Sequence, residues 1–94
     1  MKAGSKVIVR ANESGVWFGV LLDYAADWSW VRLGDAMRLW RWQTKSGVSC
    51  SGLAANGIDP ARSTVAPVID EAIVCNPCEV LSVAETAAAT YALG

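Results

Sequence analysis

Trp28-Ser29-Trp30-Val31-Arg32-Leu33-Gly34-Asp35-Ala36-Met37-Arg38-Leu39-Trp40-Arg41-Trp42-Gln43 holds four of the chain's five tryptophans and three of its arginines. Its course depends on the three residues at its centre. Gly34-Asp35-Ala36 has the chemistry of a tight turn, so the pattern predicts a strand Trp28–Leu33, a hairpin loop and a second strand Met37–Gln43. Side chains alternate faces along a strand. A three-residue loop then pairs Trp28 with Trp42, Trp30 with Trp40, and Arg32 with Arg38. A two-residue turn would shift the register by one and oppose Trp30 with Leu39.

Outward from this segment, Lys6-Val7-Ile8-Val9-Arg10 is a short β-branched run, and Asn12-Glu13-Ser14-Gly15 after it is turn-forming. Val16–Leu22 reads as a strand apolar on both faces and well covered, with Gly19 marking a bulge or a close approach. Downstream, Ser46–Gly52 is a small-residue loop in which Ser49 or Ser51 caps a short helix through Leu53-Ala54-Ala55, ended by Asn56-Gly57. Thr64–Ile69 and Ala72–Leu81 are strand material confined to edges or bulges by Pro67 and Pro77. Ser82-Val83-Ala84-Glu85 fits a capping box before a helix Ala84–Leu93. That helix has one charge and is apolar nearly all round, so it buries against the sheet or a second copy. The expected fold class is α+β: one domain over residues 1–94, a small antiparallel sheet with a short middle helix and a C-terminal Ala-rich helix.

Composition narrows the function. Ninety-four residues suffice for one core, and an apolar share of 53% leaves apolar surface that oligomerisation would cover. A net charge of −1 argues against general nucleic-acid binding and against a membrane surface. The charge is uneven: residues 1–45 carry seven basic and four acidic side chains, and residues 46–94 carry one and five. Met1–Lys6 leads straight into strand without a secretory signal, and three cysteines without secretory context suit a reducing compartment. The expected location is cytoplasmic.

Catalytic chemistry finds no foothold. The chain has no histidine, so Ser46, Ser49, Ser51 and Cys50 lack the usual activating base. Asp23, Asp27 and Asp35 read as turn aspartates. Cys75-Asn76-Pro77-Cys78 has metal-binding spacing, but Cys50 is the sole further cysteine, so a zinc site would need a carboxylate. The reading preferred is two buried thiols either side of a proline bulge. No catalytic residue, metal site or cofactor is expected.

Binding chemistry is better served. Arginines beside indole faces suit a nucleotide, whose base stacks while its phosphate takes the guanidinium. Tryptophan clusters in small β domains otherwise serve as core, with arginine stems laid over them.

Val7-Ile8-Val9-Arg10, Gly15-Val16-x-Phe18-Gly19, Leu33-x-Asp35-Ala36-x-Arg38-Leu39-Trp40-x-Trp42, Leu53-Ala54-x-x-Gly57 and Glu85-x-Ala87-Ala88 together resemble a family of small phage-encoded proteins sharing a domain of unknown function. The stretch Asp35–Trp42 is the most specific part, while Trp28/Trp30 and residues 75–78 depart from the pattern. The resemblance implies a phage accessory protein at work in an infected bacterial host. One role it suggests is an oligomeric sponge for a nucleotide immune signal, of the cyclic ADP-ribose or cyclic oligonucleotide type, bound without cleavage. Trp40 and Trp42, with Trp30, would stack the base, and Arg38 and Arg41, with Arg10 or Lys45, would hold phosphate. The alternative is an inhibitor or adaptor that docks a host defence protein through the same Arg/Trp surface.

Overall fold

Val7, Ile8 and Val9 resist helix and favour a pleated strand because of their branched Cβ atoms. In the computed structural model they form the middle of β1 (Lys6–Ala11), and all three are buried. The structure describes residues 1–44 and 49–91. Gly15, at φ 83°, ends the turn after β1, and β2 (Gly15–Tyr24) returns antiparallel along it. So far the chain follows its sequence pattern.

It departs at Gly34-Asp35-Ala36. No hairpin forms there: Trp30–Arg41 is one unbroken strand, β3, paired to β2 along its length. Asp35 instead makes a bulge. Phe18 pairs with Met37 and Val20 with Gly34, so two residues of β3 stand opposite Gly19 alone. Asp35 sits at φ 46°, a region that aspartate tolerates better than most residues. A Cβ on Gly19 would come 3.0 Å from the Gly34 carbonyl oxygen and 3.2 Å from Leu33 Cβ. Gly34 in turn lies under the Leu22 side chain, 3.1 Å from where its own Cβ would be. The three residues that looked like a turn are where two strands press together.

The fold is accordingly sheet-dominated, and the expected α+β balance does not hold. β4 (Thr64–Val65) and β5 (Ile69–Cys75) follow one another along the far edge of β3, and β6 (Pro77–Ser82) pairs with the far edge of β1. The order is β4-β3-β2-β1-β6, with β5 also on β3. Asn76 alone joins β5 to β6, so the sheet has to coil until its two outer strands meet. Asn76 takes the corner at φ 52° and donates its N–H to the Ser29 carbonyl at 2.8 Å. Pro77 begins the edge strand β6, as expected, whereas Pro67 lies in the connection between β4 and β5.

Two cores result. Val7, Val9, Leu21, Val31, Leu33 and Val74 fill the inside of the coil. Ile8, Val16, Met37 and Leu39, on the outer face of the same strands, meet Leu53, Ala54, Ile58 and Tyr91. The helices supply that second layer. α1 (Cys50–Asn56) is capped by Ser49, whose Oγ accepts from the Gly52 N–H, and ends at Gly57 with φ 94°, as its sequence predicted.

The C-terminal helix is shorter than predicted. α2 (Glu85–Ala88) has four residues and tightens into a 3-10 turn, Ala89–Tyr91; of the predicted span, Ala92 and Leu93 lie outside the described residues. The expected capping box is absent, because Ser82 belongs to β6 and Ala84 caps without a side-chain bond. The Thr90 hydroxyl donates to the Ala87 carbonyl at 2.6 Å and accepts from the Ile58 N–H at 2.9 Å, tying the last turn to the segment that follows α1.

Tyr91 anchors this layer. Its ring stacks on Phe18 with centroids 4.0 Å apart, and its O–H donates to the Leu53 carbonyl at 2.7 Å. Burial above all pushes the phenol's pKa well up from its ordinary 10.0, with the nearby Cys50 adding to the shift.

Two outcomes follow. Gly19→Ala forces a methyl against backbone and should cost roughly 1–3 kcal/mol in chemical denaturation, with the same spectrum at low denaturant. For Tyr91, the unfolded phenol loses its proton above about pH 10 while the folded one keeps it. Stability is therefore full below that pH and falls as pH rises beyond it. Tyr91→Phe should lose about 1–2 kcal/mol at neutral pH and flatten this alkaline loss in urea titrations run at several pH values.

Candidate functional site

Each bulge in β3 reverses which face the following residues take. Before Asp35, the odd residues Val31 and Leu33 point into the coil; after it, the odd residues Met37 and Leu39 point to the helices. Arg38 thereby falls on the coil side, directly across from Trp17 of β2. A second bulge follows at Trp40, since Leu39 pairs with Val65 and Arg41 with Thr64. This bulge throws Trp40 outward, 63% exposed, and returns Trp42 to the helix-side core.

The result is a tier of three side chains. The Arg38 guanidinium lies 4.3 Å from the centroid of the Trp40 ring and 5.8 Å from that of Trp17. Both distances are within cation–π range. Gly15, at the start of β2, lies beside the same guanidinium: a Cβ there would be 3.7 Å from Nε and Nη2. Among the described residues no carboxylate pairs with Arg38, whereas Arg10, Arg32 and Arg62 are paired with Glu79, Glu71 and Asp59. The indole Nε1 of Trp17 and the hydroxyl of nearby Ser14 are buried with no hydrogen-bond partner among the described residues. Arg38 thus presents a charge that pairs with no carboxylate among the described residues and whose direction is set by two aromatic rings.

The seven residues expected to bind a ligand do not gather. Arg38 and Trp40 come together, and Arg41 follows them as an exposed side chain. Trp42, partly buried, packs against the second core rather than beside Trp40. Trp30 sits at the opposite end of β3, paired with Cys75. Arg10 is in the row with Val16 and Leu39, on the helix-side face, its Nε donating to Glu79 at 2.7 Å. Lys45 lies outside the described residues. The expected pairings Trp28/Trp42, Trp30/Trp40 and Arg32/Arg38 are absent, because the hairpin that would create them does not form. Trp28 stacks instead on Tyr24, centroids 4.3 Å apart.

Trp17 is the member that sequence reasoning missed. Its position just after the Asn12–Gly15 turn gives no sign of Arg38, which only the strand register brings to it.

The cysteines also differ from expectation. Cys75 and Cys78 are free and exposed rather than buried, because the corner at Asn76 turns both outward; Cys78 is the extra residue where β6 bulges against β1. Cys50 is half-buried, and desolvation chiefly pushes its thiol pKa up, the reverse of what an activated nucleophile needs. Among the described residues no group of three or more acidic, cysteine or histidine side chains is placed to hold a metal.

A family model for a domain of unknown function, DUF6948, matches residues 4–91. The chain belongs to that family. The DUF6948 match takes in every element from β1 to the last 3-10 turn, and so contains Trp17, Arg38 and Trp40. No curated protein and no solved structure matches the chain. No helix among the described residues is long and apolar enough to cross a membrane.

The geometry separates the tryptophans by role. Trp40→Ala removes a mostly exposed ring and should change stability by less than about 1 kcal/mol, whereas Trp42→Ala should cost roughly 3 kcal/mol or more. Equilibrium unfolding in denaturant reads the difference.

Proposed function

We propose that this domain is a non-catalytic binding module that docks another protein through the Trp17–Arg38–Trp40 tier. The observation that carries the reading is a guanidinium, without a carboxylate partner among the described residues, 4.3 Å above a tryptophan ring that is itself 63% exposed. Tryptophan and arginine dominate interface hot spots, because a rigid ring and a held charge lose little freedom on binding. In the setting that the family resemblance suggests, the partner is a host defence protein in an infected bacterium.

Sequestration of a nucleotide signal is the second reading, and the unpaired Arg38 beside an aromatic face favours it. It fits the shape less well. A small ligand is held when a pocket covers most of its surface. Depressions of about 490, 320 and 290 Å³ are lined by other residues, on the α1–β6 side, around Phe18 and Tyr91, and beside Trp28. Trp42 and Arg10, needed to complete a nucleotide site, face elsewhere. Such a site would have to be finished by a second subunit.

Affinity capture from host lysate, paired with calorimetry against cyclic oligonucleotides and ADP-ribose derivatives, separates the two. The docking reading predicts one protein recovered in stoichiometric amount. Trp40→Ala and Arg38→Ala should each weaken its binding about 30-fold or more, while Lys2→Ala leaves it unchanged. Nucleotide heat without a protein partner would overturn it.

A further inference from the structure

The outer edge of β5 is open. β5 pairs with β3 on one side only, and among the described residues no strand lies on the other. Such edges are usually blunted by proline, bulges or charge. The β6 edge has such devices: Pro77 begins it and a bulge follows at Cys78. β5 keeps its register with β3 throughout and contains no proline.

Its outward face is also apolar. Ala72 and Val74 turn into the coil, which leaves Ile69, Glu71 and Ile73 on the outside. Ile73 is 63% exposed and Ile69 46%; Val68, just before the strand, is 57% exposed. Leu22, 38% exposed, extends the patch from over Gly34, the residue paired with Glu71. One ion pair crosses the patch, Arg32 Nη1 to Glu71 Oε1 at 3.0 Å. A surface that carries both signs of charge among exposed aliphatics is complementary to itself under a two-fold axis.

We propose that two copies of this chain associate by antiparallel pairing of β5 with β5, continuing the sheet from one subunit into the other. The charges select the register. Centring the axis on Glu71 would oppose two carboxylates, which is unfavourable. Centring it on Ile73 leaves Ile69 without an opposite residue. Centring it on Ala72 pairs all seven residues and sets Glu71 against Ile73 of the partner subunit and Ile69 against Cys75 of the partner subunit. Arg32 then shares a row with Glu71 of the partner subunit, with Ile73 between them, and no like charges stand opposite. Backbone pairing supplies direction, and the exposed isoleucines supply apolar burial. The face differs from the one bearing Arg38, so the dimer leaves the docking tier open.

A directed cross-link tests the register. Residues 69 and 75 of one extended strand are about 20 Å apart, too far for an internal disulfide, whereas directly opposed residues across an antiparallel pair are within bridging distance. Ile69→Cys in a Cys78→Ser background, oxidised with diamide, should give a covalent dimer joined through Cys75, mapped by peptide mass. The Cys78→Ser protein without the new thiol should stay uncrosslinked through Cys75. Sedimentation of the unmodified chain should show a dimer, and Ile73→Arg should raise its Kd about tenfold or more while circular dichroism stays native. Arg38→Ala should leave the dimer intact. A monomeric wild type overturns the proposal; so does an assembly larger than two, or a dimer in which the thiols fail to join.

Discussion

The close approach of Gly19 to the Asp35 bulge governs the molecule. A glycine on β2 lets the extra residue of β3 press against it, with no room for a methyl between them. That contact keeps β3 running straight through Gly34-Asp35-Ala36 instead of turning back. Because the strand continues, it reaches from the corner near Cys75 to the loop strand β4, and it pairs on both edges. The sheet can then coil, and β1, β2 and β3 can each be buried on two faces. A hairpin at the same place would have split β3 between two layers and left the helix layer no sheet to cover.

The same bulge builds the candidate site. A strand of uniform period would put Arg32 and Arg38 on one face; the extra residue sends Arg32 outward to Glu71 and Arg38 to Trp17. The second bulge projects Trp40 over the guanidinium and recovers Trp42 for the core. An arginine between two indoles keeps its charge while losing most of its freedom, which lowers the entropy cost of meeting a partner. Trp40 is 63% exposed, and an exposed ring beside a held charge is the chemistry of a protein-docking hot spot.

Much of the scaffold was legible because its signals are local. Val7–Val9 and the Asn12–Gly15 turn give β1 and β2, and Ser49 and Gly57 bound α1. Pro77 marks the start of the edge strand β6, while Pro67 falls in the connection between β4 and β5. What could not be read depends on contacts distant in sequence. Glycine and aspartate mark a bulge as readily as a turn, and only Gly19 and Leu22, on another strand, decide between them. With a hairpin assumed at that point, Arg38 has no place beside β2 and Trp17 is missed. Plain alternation groups Trp42 with Arg38, which the second bulge at Trp40 breaks, and Arg10 lies on β1 with its face set by Val16. The C-terminal helix was overestimated because alanine propensity carries no trace of Thr90 binding back to Ala87 and across to Ile58. Arg38 and Trp40 were found from composition, but their relation to each other comes from geometry.

The continuity of β3 is open to a direct measurement. Nuclear Overhauser contacts in a uniformly labelled sample report which strands face one another. An unbroken β3 predicts cross-strand contacts between Trp17 and Arg38 and between Phe18 and Met37, together with contacts from Arg32 to Ile73 on the other edge. Contacts between Trp30 and Trp40, or between Arg32 and Arg38, would mean that the chain turns at Asp35 and would contradict the account.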